Sequence, residues 1–573
     1  TATTLRAEAT GDVRLDATGN AIAAISGRAG KLFRLRSASA LITDDIGAET
    51  VALIAGGSIT QPATGLGIAA ALLTAEAQGA VELLAPANAI AALGSVAADR
   101  LLLRSGTALD LTAPLDLTLL DLGLGGSLTQ GLGATVAAGT LRLDVRGDAL
   151  LDHPGNRLPS VARAVATGDL ILATDGSLGL DGLVRADGVL RLTAAGSIGQ
   201  TAGHIEAPVL IAAATGGNVL LEQPGNLVGA AGGNAPGSWR LRSAATGTLD
   251  VAVLIAAPEV ALTLDGGLSQ GDGALRADAL ALDVAGSVVL DGDGHRVAAL
   301  SGRAGALRLD AGGPLDVTGT LASGGELALA ADRIGLLAPA SASQALLVAR
   351  GGDVTQGATG AGLSVAGGLE AYASGAVALD GAGNQVARLA GGSAEGGFAL
   401  ATAGALTVRG DVAGQTVVLR AGGTLTLDGA TFAAGRAVLI AAPAGIAAGA
   451  GSRLEARDPA RLPVLILDSR GAGLAAIPGF VEPDLPGRAA SAQPTQLPQF
   501  GAARAVAGGH VVFNIAGGGA PIFLLVDAAP VLGALEAGRL GVLGQGGSAT
   551  LVGALAGMGG EPAATLASTA GAP

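Results

Sequence analysis

The sequence contains no cysteine and few aromatic residues. Its 573 residues include one tryptophan, one tyrosine and seven phenylalanines, so aromatic residues make up 2% of the chain. Without cysteine, the chain forms neither disulfides nor thiolate metal sites. A buried core must therefore consist of valine, leucine, isoleucine and alanine, and its stability must come from many thin layers.

Histidine is also scarce. The four histidines are far apart in sequence, and they form no HExxH or His-x-His pattern. A transition-metal site needs a cluster of such ligands, so we expect no metal site and no bound cofactor. The four positions are His153, His204, His295 and His510. We expect His153 and His295 to be turn residues.

Positive charge is limited to arginine, apart from the single Lys31. The formal net charge is −14 and the isoelectric point is about 4.7. Binding to phosphates requires clustered cations, so this balance argues against nucleic acid or an anionic membrane as a partner. The arginines are dispersed along predicted strands, which predicts solvated strand faces and no basic patch.

Long uncharged apolar stretches are absent, so we expect no transmembrane segment. The nearest candidate, residues 520–535, contains Pro521, Asp527 and Pro530. No signal peptide opens the chain, and Thr1 begins in what looks like the middle of a structural coil. We therefore expect a mature or excised piece of a longer precursor.

The sequence does contain a long internal repeat. Successive glutamines of a Gly-Ser-Ile-Thr-Gln-like phrase are 69, 70, 70 and 86 residues apart, at Gln61, Gln130, Gln200, Gln270 and Gln356. A second marker, a turn residue after an apolar run, recurs with similar spacing at Asn20, Asn88, Asn156, Asn226, His295 and Asn384. Fixed-period self-similarity indicates stacked units that share a continuous core.

Each unit consists of short strands. Apolar and polar residues alternate within each predicted strand, as in Leu141–Val145. The strands are separated by Gly-Gly, Asp-Gly and Gly-Asn pairs, which favour turns. We predict an all-β, parallel β-helix (β-solenoid), with coils of about 20 to 25 residues and three coils per repeat. The longer step between His295 and Gln356 predicts one inserted coil, because a whole coil keeps the inward faces in register. We expect about 20 coils, with Gln61, Gln130, Gln200 and Gln270 at equivalent positions.

The organisation changes toward the end of the chain. Residues 1–455 carry the repeats, and prolines cluster in residues 456–502, which favours an extended connector. Residues 503–573 are apolar and glycine-rich, and we predict a small β-rich C-terminal block. Apolar strands at the end of a solenoid need partners, so we expect this block to dock on the solenoid or on another subunit.

Paired carboxylates give weak support for catalysis. Asp44 and Asp45 are adjacent on a predicted strand, where neighbouring side chains point to opposite faces. Asp291 and Asp293 lie in a predicted turn, where aspartate is favoured because it hydrogen-bonds its own backbone. Isolated Asp-Gly turns without the repeated Gly-Gly-x-Gly-x-Asp pattern predict no structural calcium. We therefore assign no catalytic, cofactor-binding or metal-binding residue.

One recognition motif occurs twice. Arg-Gly-Asp is found at Arg146, Gly147 and Asp148 and again at Arg409, Gly410 and Asp411, each time directly after a predicted strand. Integrin-type receptors recognise this tripeptide through its charges on a tight, exposed turn. These six residues are the candidate receptor-binding site. The alternative is ordinary turn chemistry, since all three residue types are common here.

The order of these phrases resembles the repeat region of filamentous-haemagglutinin-like exoproteins of Gram-negative bacteria. The likeness covers about residues 1–450, for example LLDHPGN at 150–156 and the segment Val289–Gly305. It implies a right-handed parallel β-helix that is exported by two-partner secretion and is secreted or displayed at the cell surface. Such proteins serve as adhesins, biofilm components or extracellular filaments. Residues 1–573 contain no Asn-Pro-Asn motif of the kind found in that family's N-terminal secretion domain, which fits the expected excised or processed piece.

Three functions stay open from the sequence. The first is a non-enzymatic structural or adhesive rod that binds a cell-surface or matrix component. The second is a polysaccharide-processing β-helix enzyme, which would need carboxylates and a basic residue clustered on consecutive coils. The third is a filament that self-associates through the solenoid ends or the C-terminal block.

Overall fold

A computed structural model describes residues 1–357, 360–442, 444, 446–448, 453–456, 464–468, 510–517 and 520–527. Every regular element of these residues is a β-strand, and parallel strands stack as a β-solenoid of about 22 turns. This confirms the predicted all-β solenoid. The described chain forms two compact units, Thr1–Ala277 with Val284–Gly286, and Asp278–Asp283 with the described residues from Ser287 onward.

The strands that begin in the first unit are β1 (Ala2–Ala9), β2 (Val13–Leu15), β3 (Ile22–Ala29), β4 (Leu32–Ser37), β5 (Leu41–Ala55), β6 (Ile59–Gln61), β7 (Ile68–Ala77), β8 (Val81–Leu83), β9 (Ala89–Ala97), β10 (Arg100–Ser105), β11 (Leu109–Leu111), β12 (Leu115–Leu124), β13 (Leu128–Gln130), β14 (Val136–Val145), β15 (Ala149–Leu151), β16 (Ser160–Ala166), β17 (Leu170–Thr174), β18 (Leu178–Leu180), β19 (Val184–Ala186), β20 (Val189–Ala194), β21 (Ile198–Gln200), β22 (Ile205–Ala214), β23 (Val219–Leu221), β24 (Leu227–Asn234), β25 (Ser238–Ser243), β26 (Thr248–Ala256), β27 (Glu259–Leu264), β28 (Gly267–Gln270) and β29 (Leu275–Val284).

The strands of the second unit are β30 (Ser287–Leu290), β31 (Arg296–Ala304), β32 (Ala306–Asp310), β33 (Leu315–Ser323), β34 (Glu326–Ala331), β35 (Ile334–Leu336), β36 (Ala340–Ala342), β37 (Gln344–Ala349), β38 (Val354–Gln356), β39 (Leu363–Val365), β40 (Leu369–Ala373), β41 (Val377–Leu379), β42 (Gln385–Val386), β43 (Arg388–Ala394), β44 (Gly397–Thr402), β45 (Leu406–Val408), β46 (Asp411–Ala421), β47 (Leu425–Leu427), β48 (Thr431–Ala441), β49 (Ile446–Ala448), β50 (Arg453–Ala456), β51 (Val464–Asp468), β52 (His510–Gly517) and β53 (Ala520–Asp527).

The core follows the alternation in the sequence. In β10, Leu101 and Leu103 are fully buried, whereas the intervening residues are partly accessible. In the next coil Leu120 pairs in register with Leu101, and Leu122 pairs with Leu103. Leucine therefore stacks on leucine along the solenoid, and each coil adds a thin apolar layer between two similar layers.

Each repeat spans three and a half coils, so the prediction of three coils is wrong. The first ladder of paired residues leads from Ile59 to Gln200 through Val81, Leu101, Leu120, Leu141, Val161 and Leu180. The second leads from Leu128 to Gln270 through Ala149, Leu170, Leu190, Leu210, Ala231 and Val251.

Each ladder takes seven steps to cover two repeats. Gln200 therefore lies over the strand of Gln61, and Gln270 lies over the strand of Gln130. The four glutamines occupy two alternating columns of the solenoid instead of one. The cause is coil length, because the spacing between successive glutamines is not a whole multiple of the length of one coil.

The predicted inserted coil is confirmed. In the first unit, the strand that precedes a buried asparagine lies two coils from the strand that precedes the next glutamine. For example, β15 precedes Asn156 and β20 precedes Gln200, and β17 pairs with both strands. In the second unit, the corresponding path after β30 takes three steps, through β32 and β34 to β37. The additional coil explains the longer spacing before Gln356.

The predicted domain boundaries fall largely outside the described residues. Within the range assigned to the connector, β51 pairs in parallel with β48. Within the range assigned to the C-terminal block, β52 pairs in parallel with β51 and antiparallel with β53. The connector at 456–502, the block at 503–573 and the docking of that block stay predictions.

Candidate functional site

The two repeat markers meet in one contact, in which the asparagine is buried. Gln130 Nε2 donates to Asn156 Oδ1 at 2.6 Å, and Asn156 Nδ2 donates to Gln130 Oε1 at 3.1 Å. The same reciprocal amide pair forms in three other repeats, namely Gln61 with Asn88, Gln200 with Asn226, and Gln356 with Asn384. All four asparagines are fully buried. The sequence markers are therefore the two halves of one interaction.

The buried asparagine also holds the backbone of its neighbours. Asn156 Oδ1 accepts a hydrogen bond from the Val136 amide at 2.8 Å, and its Nδ2 donates to the Leu151 carbonyl at 3.1 Å. On the following coil, Thr174 Oγ1 donates to the Asn156 carbonyl and accepts from the Leu158 amide. These polar groups are satisfied within the stack, which is the condition for burying them without a large energetic cost.

His295 occupies the position that asparagine holds in the other repeats. Its side chain is 1% exposed. Burial lowers the pKa of His295, and the nearby charges of Asp310 and Asp291 oppose that shift. The sequence predicted a turn residue here. The structure places His295 directly after the turn and inside the core.

The serine of the repeated phrase links coils as well. Ser58 Oγ accepts the Ala80 amide at 3.2 Å, and Ser127 Oγ accepts the Asp148 amide at 3.1 Å. Asp353, which replaces serine in a later repeat, uses Oδ1 to accept the Ala376 amide at 2.6 Å. The phrase therefore has a structural role in joining one turn to the next.

The first Arg-Gly-Asp lies in the turn between β14 and β15. Arg146 and Asp148 are exposed, and Gly147 has φ of +145°, in the region that favours glycine. Asp148 Oδ1 accepts the Asp169 amide of the next coil at 2.9 Å. The turn is exposed as predicted, but its aspartate also has a structural partner.

The second Arg-Gly-Asp connects β45 to β46. Arg409 and Asp411 are exposed, and Gly410 has φ of +103°. Arg409 Nε lies 3.9 Å from Asp428, which is a weak surface contact. Both tripeptides are accessible to a receptor, and receptor binding stays a prediction.

The carboxylate pairs have separate structural contacts. Asp44 and Asp45 lie at a register shift in β5, and Asp45 has φ of +39°, so the regular alternation assumed from the sequence does not apply. Asp44 Oδ1 accepts the Leu66 amide at 2.8 Å, whereas Asp45 pairs with Arg28 at 2.6 Å. Asp291 and Asp293 are exposed in a turn, as expected.

Two other histidines, the tryptophan and the tyrosine take part in local contacts. His153 Nδ1 accepts the Gly155 amide at 3.0 Å within its predicted turn, and His204 Nε2 lies 3.0 Å from Glu206. Trp239 is fully buried and donates to the Ala212 carbonyl at 3.2 Å. The Tyr372 hydroxyl donates to Glu370 at 3.0 Å. The pKa of Tyr372 is raised, mainly by partial burial and also by that hydrogen bond.

The described residues contain neither a cluster of metal ligands nor a membrane-spanning helix. In that part of the chain, no three histidine, cysteine, aspartate or glutamate side chains are grouped closely enough to hold a metal ion. None of its elements is a helix of the length and apolarity needed to cross a membrane.

The structure corrects the expectation that arginines form no basic patch. Four arginines from nearby coils line one open groove of about 640 Å³, namely Arg104, Arg142, Arg146 and Arg163. This group is not evident in the sequence because its members come from different coils and are far apart in the chain. The available signal was the spacing of Arg142 and Arg163, which is about one coil and makes them direct neighbours.

Comparison with known proteins identifies the repeat but no function. A family model described as "Repeats of unknown function (DUF5649)" matches residues 98–164 and 324–390. Each matched segment contains one complete glutamine–asparagine pair, Gln130 with Asn156 or Gln356 with Asn384. Comparison with curated proteins gave no match, and comparison with solved structures gave none either.

Proposed function

We propose that this chain is a non-enzymatic structural or adhesive protein of the bacterial surface or extracellular space. The observation that carries the proposal is the repeated amide pair of Gln130 and the buried Asn156, with the backbone bonds around it. The repeated polar residues join one coil to the next, so the repeated hydrogen bonds serve to stack the coils. The charged residues of both Arg-Gly-Asp segments lie on exposed turns, where a surface protein would present them.

Adhesion would use those exposed turns. The candidate contacts are the two Arg-Gly-Asp segments beginning at Arg146 and Arg409, because their charged residues are accessible. Self-association through solenoid ends or the C-terminal block would extend the same function into filaments or a matrix. The resemblance to filamentous-haemagglutinin-like exoproteins supports secretion or surface display in a Gram-negative bacterium.

The rival function is a polysaccharide-processing β-helix enzyme. Acid and base groups must converge on one reacting bond within hydrogen-bonding reach. Asp44 and Asp45 instead contact separate structural partners, Leu66 and Arg28. We therefore propose no catalytic role for Asp44, Asp45, Asp291 or Asp293.

Two measurements test this proposal. Antibody labelling of intact, non-permeabilised source cells should detect the chain at the surface, and the purified chain should coat cells or matrix in a saturable manner. Incubation with polygalacturonate should release no new reducing ends. Intracellular labelling together with no adhesion would refute the surface function. Cleavage that disappears in Asp291→Asn or Asp293→Asn would establish the enzyme instead.

A further inference from the structure

A groove on the first unit carries excess positive charge on an acidic protein. It is lined by Arg104, Arg142, Arg146 and Arg163 together with two carboxylates, Asp121 and Asp144. Four cations against two anions leave a local excess of two positive charges, although the whole chain has a formal charge of −14. The excess is therefore a local feature and not a consequence of composition.

Two of the four arginines are already paired. Arg104 Nη1 lies 2.7 Å from Asp121 Oδ1 and also donates to the Asp121 and Leu103 carbonyls. Arg163 Nη2 lies 3.4 Å from Asp144 Oδ2. Within the described part of the chain, Arg142 and Arg146 form no ion pair. Their guanidinium groups retain their donors for a ligand.

Arg142 is placed beside a like charge. It pairs directly with Arg163 on the neighbouring coil, and its other neighbour in the same column, Asp121, is the partner of Arg104. Like charges directly opposite each other on a sheet are unfavourable. Arg14 and Arg34 also stack directly, but each lies within 4.0 Å of its own carboxylate, Asp12 or Asp16. An anion bound at Arg142 would supply the missing partner.

Glycine lets the Arg104 side chain lie across the surface of the groove. Gly106, Gly123 and Gly125 line the groove, and an added Cβ at Gly123 would approach Arg104 Cδ to 2.5 Å. The groove crosses several coils, and neighbouring coils are about 4.8 Å apart. That spacing is about the length of one sugar ring in an extended chain, so successive acidic sugars would meet successive coils.

We propose that this groove binds a linear acidic polysaccharide through the carboxylates of successive uronic acid residues. The planar guanidinium fork matches a carboxylate in a bidentate arrangement. Among the described residues, no aromatic side chain lines the groove, so base stacking, on which single-stranded nucleic acid binding relies, is not available there. The inference rests on the adhesive function proposed above and names its ligand class.

The test compares two variants with equal changes in charge. Arg142→Gln/Arg146→Gln removes the two unpaired cations of the groove. Arg191→Gln/Arg276→Gln removes two exposed arginines that form no ion pair in the described chain and lie outside the groove. Binding is measured by biolayer interferometry against immobilised polygalacturonate, dextran sulfate and neutral dextran at low ionic strength, where surface charge is least screened.

We expect the wild-type chain to bind polygalacturonate but not neutral dextran. The groove variant should bind at least about tenfold more weakly, and the control variant should stay within about twofold. Arg142→Gln alone should also weaken binding, which separates the groove from the Arg-Gly-Asp turn, because Arg142 belongs only to the groove. Equal binding by the groove variant and wild type, equal losses in both variants, or stronger binding to dextran sulfate than to polygalacturonate would each overturn the proposal.

This assay is independent of the cell-adhesion test. If the wild-type chain adheres to cells but ignores polygalacturonate, the adhesive function stands and the groove proposal fails. If it binds polygalacturonate through Arg142 and Arg146 but is never found at a cell surface, the groove proposal stands and the proposed surface function fails.

Discussion

Gln130 and Asn156 are 26 residues apart in sequence, lie on neighbouring coils and exchange two amide hydrogen bonds. Asn156 is fully buried, whereas Gln130 is partly exposed. Because Asn156 also bonds the backbone at Val136 and Leu151, its side chain connects the ends of several strands at once. The contact recurs with the sequence repeat, and we infer that it is one reason for the repeat's regularity.

Replacing Asn156 with alanine should destabilise the solenoid by about 2–4 kcal/mol. The change leaves the Val136 amide and the Leu151 carbonyl without their side-chain partner, and an unsatisfied buried polar group costs about 1–3 kcal/mol. Gln130→Ala should cost less, about 1 kcal/mol, because Gln130 is itself partly exposed and water can enter the space it leaves to bond the freed groups. Urea denaturation would give both values, with hydrogen exchange at Val136 as a local measurement.

The double variant supplies the control for that prediction. Once Asn156 is alanine, the additional loss of Gln130 should cost little, since the pair is already broken. Strictly additive effects, or an Asn156→Ala protein as stable as the wild type, would show that the amide pair does not hold the coils together.

The sequence markers predicted the period but not the contact. In the sequence Gln130 and Asn156 are separate markers, because nothing in a linear repeat shows that these two positions face each other across coils. The alternation of apolar and polar residues was sufficient to predict the strands and the core. The pairing of the two polar markers depends on coil length, which the structure supplies.

His295 should make stability depend on pH in a way that asparagine would not. Burial lowers the pKa of His295 in the folded chain below its ordinary value of about 6.5. As pH falls below about 6.5, the unfolded chain takes up a proton before the folded chain does, so the free energy of unfolding falls. The slope from this one group is at most about 1.4 kcal/mol per pH unit.

We expect His295→Asn to remove this dependence between pH 5 and pH 7 in urea denaturation series. The matched control is His204→Asn, which replaces a partly exposed histidine and leaves His295 in place. The control should retain the wild-type slope. Identical slopes in wild type and His295→Asn would show that His295 does not resist protonation in the folded chain.

Substitutions at Asp148 should distinguish a structural role of its turn from a role in receptor binding. Asp148→Asn keeps an oxygen that can accept the Asp169 amide, so its stability should stay within about 0.5 kcal/mol of wild type. Asp148→Ala removes that acceptor and should cost about 0.5–1 kcal/mol. Removing both negative charges with Asp148→Asn/Asp411→Asn should abolish adhesion to integrin-bearing cells. Unchanged adhesion would refute a role for either tripeptide.

The two features that the sequence did not predict have one cause. The length of one coil places Gln200 over the strand of Gln61, and the same geometry places Arg163 directly beside Arg142. The sequence limits one coil only to about 20 to 25 residues, and this range does not fix which residues meet on neighbouring coils. Side-chain clusters in a solenoid are visible in the sequence only when the length of each coil is known.

The additional coil of the second unit should be removable as a whole. Deleting Leu327–Gln344 brings Ala345 to the position of Leu327, so that β37 would pair with β32 in the register that β34 now uses. The same deletion lets β38 and β39 meet β33, since Leu315 pairs with Ile334 and Ile334 with Val354 in the present stack. We expect a soluble, β-rich protein whose thermal unfolding remains cooperative by circular dichroism.

A deletion of half a coil provides the matched control. Removing Leu327–Gly335 leaves β36 and β37 displaced by part of a turn, which sets inward leucines against turn residues and leaves strand edges unpaired. This variant should aggregate or lose its cooperative transition. If both deletions fold equally well, the coil is not the unit of insertion; if the whole-coil deletion aggregates as the half-coil deletion does, the added coil is required by its neighbours.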